Sequence, residues 1–184
     1  MSDARDALLG RIIEHIATDG LSGTSLRELA ESVGTSHRMV LYHFGSRDGL
    51  VAAIVDAVEA GQRDALRAIA AGAASPGEIV TTQWAQLSDP SMAPFVRLFF
   101  EVAALALFGR PGTASFVDSL VEPWLAVARE AGERLGIDVD PVEVRLAIAV
   151  VRGLLLDAVA TGDVAGATAA LERFVARWER GTSS

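Results

Sequence analysis

The sequence predicts an all-α protein: a three-helix, helix-turn-helix head at the N-terminus and a larger helical bundle behind it. Three observations carry that expectation. Apolar residues recur at helical spacing along nearly the whole chain, and strand-like alternation is almost absent. Gly and Pro punctuate the pattern at explicit breaks, among them Asp89-Pro90, Gly109-Arg110-Pro111-Gly112 and the stretch from Asp138 to Pro141. With 51% apolar residues in 184, the chain has ample material for a core and is not a disordered polymer.

The elements follow in order. Leu8, Leu9, Ile12, Ile13 and Ile16 form one apolar stripe, which predicts a helix over 3–18 that Gly20 ends. After the loop Leu21-Ser22-Gly23-Thr24, the run Ser25-Leu26-Arg27-Glu28 is a capping box. In it the Ser25 hydroxyl accepts an orphan amide and Glu28 reaches back to the Ser25 amide. Leu26, Leu29, Ala30 and Val33 make the next stripe, and Gly34 suits a left-handed C-cap. Thr35-Ser36 caps a third helix over 36–44. Gly45-Ser46-Arg47-Asp48 then turns the chain into a long helix over 46–71. Beyond the small-residue break at 72–77, helices are expected over 78–87, 91–108, 113–135, 141–161 and 163–180, about nine in all, before the short tail Gly181-Thr182-Ser183-Ser184.

Composition excludes several kinds of chemistry. All 16 basic residues are Arg, so neither a P-loop lysine nor a Schiff base is available. Cys is absent, which removes disulfides, thiolate metal sites and a cysteine nucleophile. The three histidines, His15, His37 and His43, form no His-Glu-x-x-His pair, and neither a nucleophile elbow nor a phosphate loop is present. A non-enzymatic protein without cofactor or metal is expected. Residues 1–10 mix acids into the chain and are not a signal peptide. The most apolar stretch, 146–159, is cut by Arg152 and Asp157, so no membrane span is expected and the cytoplasm is the expected location.

The segment 24–47 carries the functional information. Two short helices joined by a three- to four-residue turn containing Gly make a helix-turn-helix. The second helix of that motif enters the major groove with its first residues on the base edges. Those residues are Ser36, His37, Arg38 and Met39. Arg38 can take a guanine edge through two hydrogen bonds, His37 can donate or accept, and Met39 suits a thymine methyl. Tyr42 and His43 follow one turn later, near the phosphates. Thr24, Ser25 and Arg47 stand at helix N-termini, where hydroxyls and free amides suit phosphate oxygens. The charge is modest. Residues 1–50 hold five Arg against seven acids, a net of −2, on a chain of net charge −8, but 35–47 holds two Arg and two His with no acid. Such a field predicts weak non-specific binding and few phosphate contacts.

The run Thr24-Ser25-Leu26-Arg27-Glu28-Leu29-Ala30-Glu31-Ser32-Val33-Gly34-Thr35-Ser36, followed by Val40-Leu41-Tyr42-His43-Phe44-Gly45-Ser46-Arg47-Asp48-Gly49-Leu50, resembles the N-terminal signature of the tetracycline-repressor (TetR) family. That signature reads roughly Thr-x-x-x-Ile-Ala-x-x-x-Gly-Val-Ser, then Leu-Tyr-x-His-Phe-x-Ser-Lys-x-x-Leu. The resemblance covers about a quarter of the chain. It implies that Thr24, Ser25, Tyr42, His43 and Arg47 contact phosphates and that His37, Arg38 and Met39 occupy variable base-reading positions. Four positions depart from the pattern: Leu41 replaces the first groove-wall Tyr, Arg47 the usual Lys, Thr35 a common Val, and Arg38 a frequent Gly or Pro.

The family also implies a C-terminal ligand-sensing body and a homodimer, and the residues support both expectations. The helix over 141–161 is apolar around most of its circumference, with Val144, Leu146, Ile148, Val151, Leu154 and Leu155, so more than one side needs cover. Gly153 costs about 1 kcal/mol there relative to Ala, which a close helix crossing would explain. With the last helix and its stripe of Val164, Ala167, Leu171, Phe174 or Val175, and Trp178, it can pair with its copy as a four-helix interface. Trp84, Met92, Phe95, Phe99, Phe100, Phe108, Phe116 and Trp124 either line a ligand cavity or form core. Arg97 and Glu101 stand four apart, a spacing that lets them pair across a turn. Arg152 and Asp157 are either interfacial ion pairs or groups that orient a ligand. Residues 1–46 are expected to be the DNA-binding domain and 47–184 the ligand-binding and dimerisation domain. The function expected is a ligand-responsive repressor, released from a double-stranded DNA operator by a small molecule. The rival is a helical adaptor that keeps the head fold without reading DNA.

Overall fold

A computed structural model describes residues 2–21 and 23–182. Ser22 of the first loop, Met1 and the tail residues Ser183 and Ser184 lie outside the described residues. The described residues form ten α-helices and one 3-10 turn, without a strand. They divide into two compact units: the chain up to Ala60 together with Arg97–Asp118, and Gly61–Val96 together with the chain from Ser119 onward.

The first unit begins with α1 (Ser2–Asp19), α2 (Leu26–Ser32) and α3 (His37–Phe44), followed by the start of α4 (Arg47–Gly72). It also takes in the second part of α6 (Ala93–Leu107) and nearly all of α7 (Ala114–Ser119). Ile12, Ile16, Leu29, Ala30, Val40, Leu50, Ile54, Leu98 and Phe116 are buried in its core. Each large aliphatic among them contributes about 2 kcal/mol of burial energy. The residues that were expected to cap do so. The Ser25 hydroxyl accepts from the Glu28 amide at 3.2 Å, and the Ser25 amide donates to Glu28 Oε2 at 2.8 Å. Gly34 adopts φ +71°, which lets the Thr35 amide reach the Ala30 carbonyl and the Gly34 amide reach Glu31. This paired bonding closes α2 and sets the turn into α3. Arg11 Nε donates to the Val33 carbonyl at 3.3 Å and ties α1 to the same turn. Further along, Gly112 lies so close to the start of α4 that a Cβ would sit 2.3 Å from the Asp48 carbonyl oxygen, so the turn between α6 and α7 requires glycine.

The second unit holds the remainder of α4, α5 (Pro76–Leu87), the 3-10 turn (Pro90–Met92), the first turn of α6, α8 (Glu122–Leu135), α9 (Pro141–Thr161) and α10 (Val164–Thr182). α10 packs along both α9 and α5, where Trp84 Nε1 donates to the Thr168 hydroxyl at 2.9 Å. Arg134 of α8 donates to the carbonyls of Ala70 and Ala73, so a cation closes the C-terminal end of α4. Leu66, Trp124 and Val127 form a buried cluster flanked by Ile79 and Ile148.

Two expectations from sequence are corrected. α5 starts at Pro76, two residues before the expected Glu78, because Ser75 caps it and proline is well suited to a first turn that needs no amide there. The single helix expected over 113–135 is two helices. Pro123 has no amide to donate to the Ser119 carbonyl, and the Trp124 amide turns to Val121 instead of Leu120. The freed Leu120 carbonyl accepts from Arg152 Nη1 at 2.8 Å. One 18-residue stretch, 90–107, reaches a mean hydropathy of 1.4 and satisfies the length and composition of a membrane span. It carries Arg97 and Glu101, and Leu98, Phe99, Val102 and Ala106 within it are buried against protein.

Candidate nucleic-acid interface

α3 is a two-faced helix. Val40 and Phe44 point inward and are buried, while His37, Arg38, Met39, Leu41 and Tyr42 are exposed. Tyr42 is 65% exposed, lying one turn beyond Arg38 and Met39 on the same side. The Ser36 hydroxyl accepts from the Met39 amide at 3.2 Å, so Ser36 works first as the N-cap that sets the angle of this helix. Its hydroxyl proton remains available to a base or phosphate. His43 is half-buried, with the Tyr42 ring edge-on at 5.1 Å and the Phe44 ring at 6.2 Å. Beneath them, the Arg5 guanidinium lies 5.2 Å from the Phe44 ring centre. The exposed face offers a guanidinium, an imidazole, a thioether and a phenol with no carboxylate in the same stretch of chain, a set that can donate to guanine edges and phosphates.

The residues expected at phosphates divide by geometry. Ser25 stands exposed at the first turn of α2. The Ser25 amide and hydroxyl, both bonded to Glu28, hold the Glu28 carboxyl below the usual carboxylate range. Thr24 is half-buried, and its carbonyl accepts from Arg47 Nη1. Arg47 Nη2 donates to the Leu21 carbonyl at 3.0 Å. The Arg47 guanidinium thus grips the loop between α1 and α2. The Leu21 amide is held as well, by Glu101 Oε2 at 2.9 Å. Sequence reading did not assign Glu101 to this loop, because a partner 80 residues away leaves no local pattern.

The residues expected to line a ligand cavity are spread over both units. Phe99, Phe100 and Phe116 belong to the first, where the Phe99 ring centre lies 5.3 Å from that of Phe100 and 5.5 Å from that of Phe116. Phe108 lies past the end of α6 and is 83% exposed, so it lines no interior of its unit. Trp84, Met92, Phe95, Trp124 and Arg152 belong to the second. Trp84 is committed to Thr168, while Met92 and Phe95 are half-buried. Trp124 is buried, with the Arg152 guanidinium 5.5 Å from its ring centre and its indole N–H without a hydrogen-bond partner. Among the described residues no group of three or more His, Asp or Glu is placed to hold a metal ion.

A helix-turn-helix head on an all-α body is the fold found in DNA-binding transcriptional regulators. The comparisons with known proteins agree. The family described as bacterial regulatory proteins, tetR family, matches residues 8–54. A transcriptional regulator from Rhodococcus sp. Rha1 is 22% identical over 98% of this chain and 98% of its own, with a TM-score of 0.78. A TetR transcription regulator from Haloarcula marismortui is 16% identical over 99% of both chains, with a TM-score of 0.76. A protein from Saccharomonospora viridis described as a transcriptional regulator, in complex with choline, is 20% identical over 95% of this chain and 96% of its own, with a TM-score of 0.75. No curated protein matches. The match of residues 8–54 and the shared helical fold make the head similar to that of tetR-family regulators and give the whole chain their fold.

Proposed function

We propose that this protein is a ligand-responsive repressor: a homodimer that grips operator DNA through two copies of α3 and is released by a small molecule bound in the second unit. The observation that carries the DNA reading is the exposed His37-Arg38-Met39 edge of α3, seated on an Ser36 cap and free of neighbouring acids in the chain. Ser36, His37, Arg38 and Met39 read bases, and Thr24, Ser25, Tyr42 and His43 meet phosphates. The two heads of a symmetric dimer would engage half-sites about 34–36 Å apart. Support for the dimer comes from α9, where Val142, Leu146, Ala149, Gly153, Leu156 and Ala160 are exposed at steps of four and three residues, a seam that suits a second copy. Among the described residues no other element comes within 4 Å of a Cβ placed on Gly153, which leaves room for a crossing with another molecule.

For the effector, the buried Trp124 indole N–H lacks an acceptor, and the Arg152 guanidinium covers the ring face. An apolar molecule that offers a hydrogen-bond acceptor suits this place. A quaternary ammonium such as the choline held by the Saccharomonospora viridis protein suits it less, since the ring face already carries a cation. The effector acts only through its differential affinity for two dimer shapes, with α4 and α6 as long helices that run from one unit into the other. The test is selection of duplexes from a random-sequence library by the protein, followed by salt-titrated binding of the winners. Sequence-dependent binding whose affinity falls as salt rises supports the regulator, whereas equal weak binding to all duplexes favours the helical adaptor that the net charge of −8 suggests.

A further inference from the structure

We infer that Glu101 and Arg47 are positioning residues for DNA binding, which together hold both polar groups of Leu21 and thereby fix the phosphate-facing start of α2. The proposal rests on the DNA reading above and adds to it two residues that work from behind the interface. Leu21 is a buried loop residue whose amide donates to Glu101 Oε2 at 2.9 Å and whose carbonyl accepts from Arg47 Nη2 at 3.0 Å. The second arm of the same guanidinium donates to the Thr24 carbonyl, one residue before the Ser25 cap. A carboxylate on α6 and a guanidinium on the first turn of α4 thus meet at Leu21, and the guanidinium extends to Thr24 at the other end of the loop. A planar fork is needed to span two carbonyls three residues apart, which a lysine ammonium lacks. This gives the departure from the family pattern at position 47 a structural use. Two of the five guanidinium N–H groups are engaged by the loop, so Arg47 acts first as a positioning residue.

Simple electrostatics and the clamp predict opposite signs at Glu101. A carboxylate repels DNA, so its loss by charge alone strengthens binding. Loss of the clamp weakens it. The experiment measures the affinity of the full-length protein for the duplex it selects from a random library, across a salt series, for wild type, E101A, E101Q, R47A and R47K. The clamp predicts that E101A weakens binding about tenfold, the worth of one charge-assisted hydrogen bond. E101Q stays within about threefold of wild type, because its amide oxygen accepts the same bond. R47A and R47K both weaken binding, with a salt slope equal to that of wild type. A direct phosphate contact predicts instead that R47A lowers the slope by about 0.9 and that R47K retains binding. Tighter binding by both Glu101 variants, or that slope change at Arg47, overturns the proposal. Amide exchange at Leu21 in the free protein separates this outcome from failure of the DNA reading: E101A must raise it and E101Q must not, whether or not any duplex is selected. Unchanged exchange in E101A also overturns the clamp.

Discussion

α3 and α9 each leave one side of a helix uncovered, and their exposed chemistry is opposite. On α3 the exposed side chains are a guanidinium, an imidazole, a thioether and a phenol, with Leu41 the one exposed aliphatic among them. On α9 the exposed stripe is Val142, Leu146 and Leu156 with the small residues Ala149, Gly153 and Ala160, and Arg145 and Asp157 border it. The polar face suits groove edges and phosphates, which supply acceptors. The apolar face, with small residues at the crossing, suits a copy of itself, because only a surface of equal shape and polarity removes it from water without stranding polar groups. Exposure alone therefore does not tell an interface from an ordinary surface. The pattern of side chains along the exposed stripe does.

The most damaging way to break this comparison is to charge the apolar face. Leu156 is 50% exposed in the single chain, and Leu156→Glu should weaken self-association more than about a hundredfold, since it sets a carboxylate against its own symmetry mate. Sedimentation equilibrium reads this, and a dimer of unchanged strength would remove α9 from the interface. Next in size is Arg38→Ala on the polar face. It should cost about 1–3 kcal/mol of discrimination at one base pair, with the other positions of the selected site unchanged. Equal weakening on every sequence would make Arg38 a phosphate contact. Gly153→Ala sharpens the picture from the other side. In an isolated helix the change stabilises by about 1 kcal/mol, so a more stable monomer with weaker dimerisation is expected if the glycine admits a close crossing. Gain in both would show that the position is merely open. The smallest effect belongs to Glu28. Because its folded-state carboxyl titrates below the usual range, the capping box adds stability above the ordinary carboxylate pKa and loses it as pH falls through the lowered value. Glu28→Gln should lie slightly below wild type in thermal stability at neutral pH and converge with it in acid. A constant gap across that range would mean that the carboxylate charge is not what stabilises the turn.

The head was legible in the sequence because its determinants are local. The capping box at Ser25 and Glu28, the left-handed turn at Gly34 and the cap at Ser36 all act within three or four residues, so the pattern and the geometry coincide. Arg152 marks where this ended. In the sequence it interrupts an apolar helix and reads equally as an ion-pair or ligand residue, whereas in the fold it caps the Leu120 carbonyl released by the break before Pro123 and covers the Trp124 ring. Phe108 looked like one member of an aromatic set, yet it falls just beyond the end of α6 and faces outward.

The sequence by itself determined the all-helical class, the order of the head helices and which residues open α3, because periodicity and capping are short-range effects written along the chain. Only the tertiary structure decided that Arg47 holds a loop, that Glu101 holds the same loop from 80 residues away, and which side of α9 is left uncovered. Those outcomes depend on which carbonyls and amides lose their helical partners and on what packs beside them, and neither is fixed until distant segments meet.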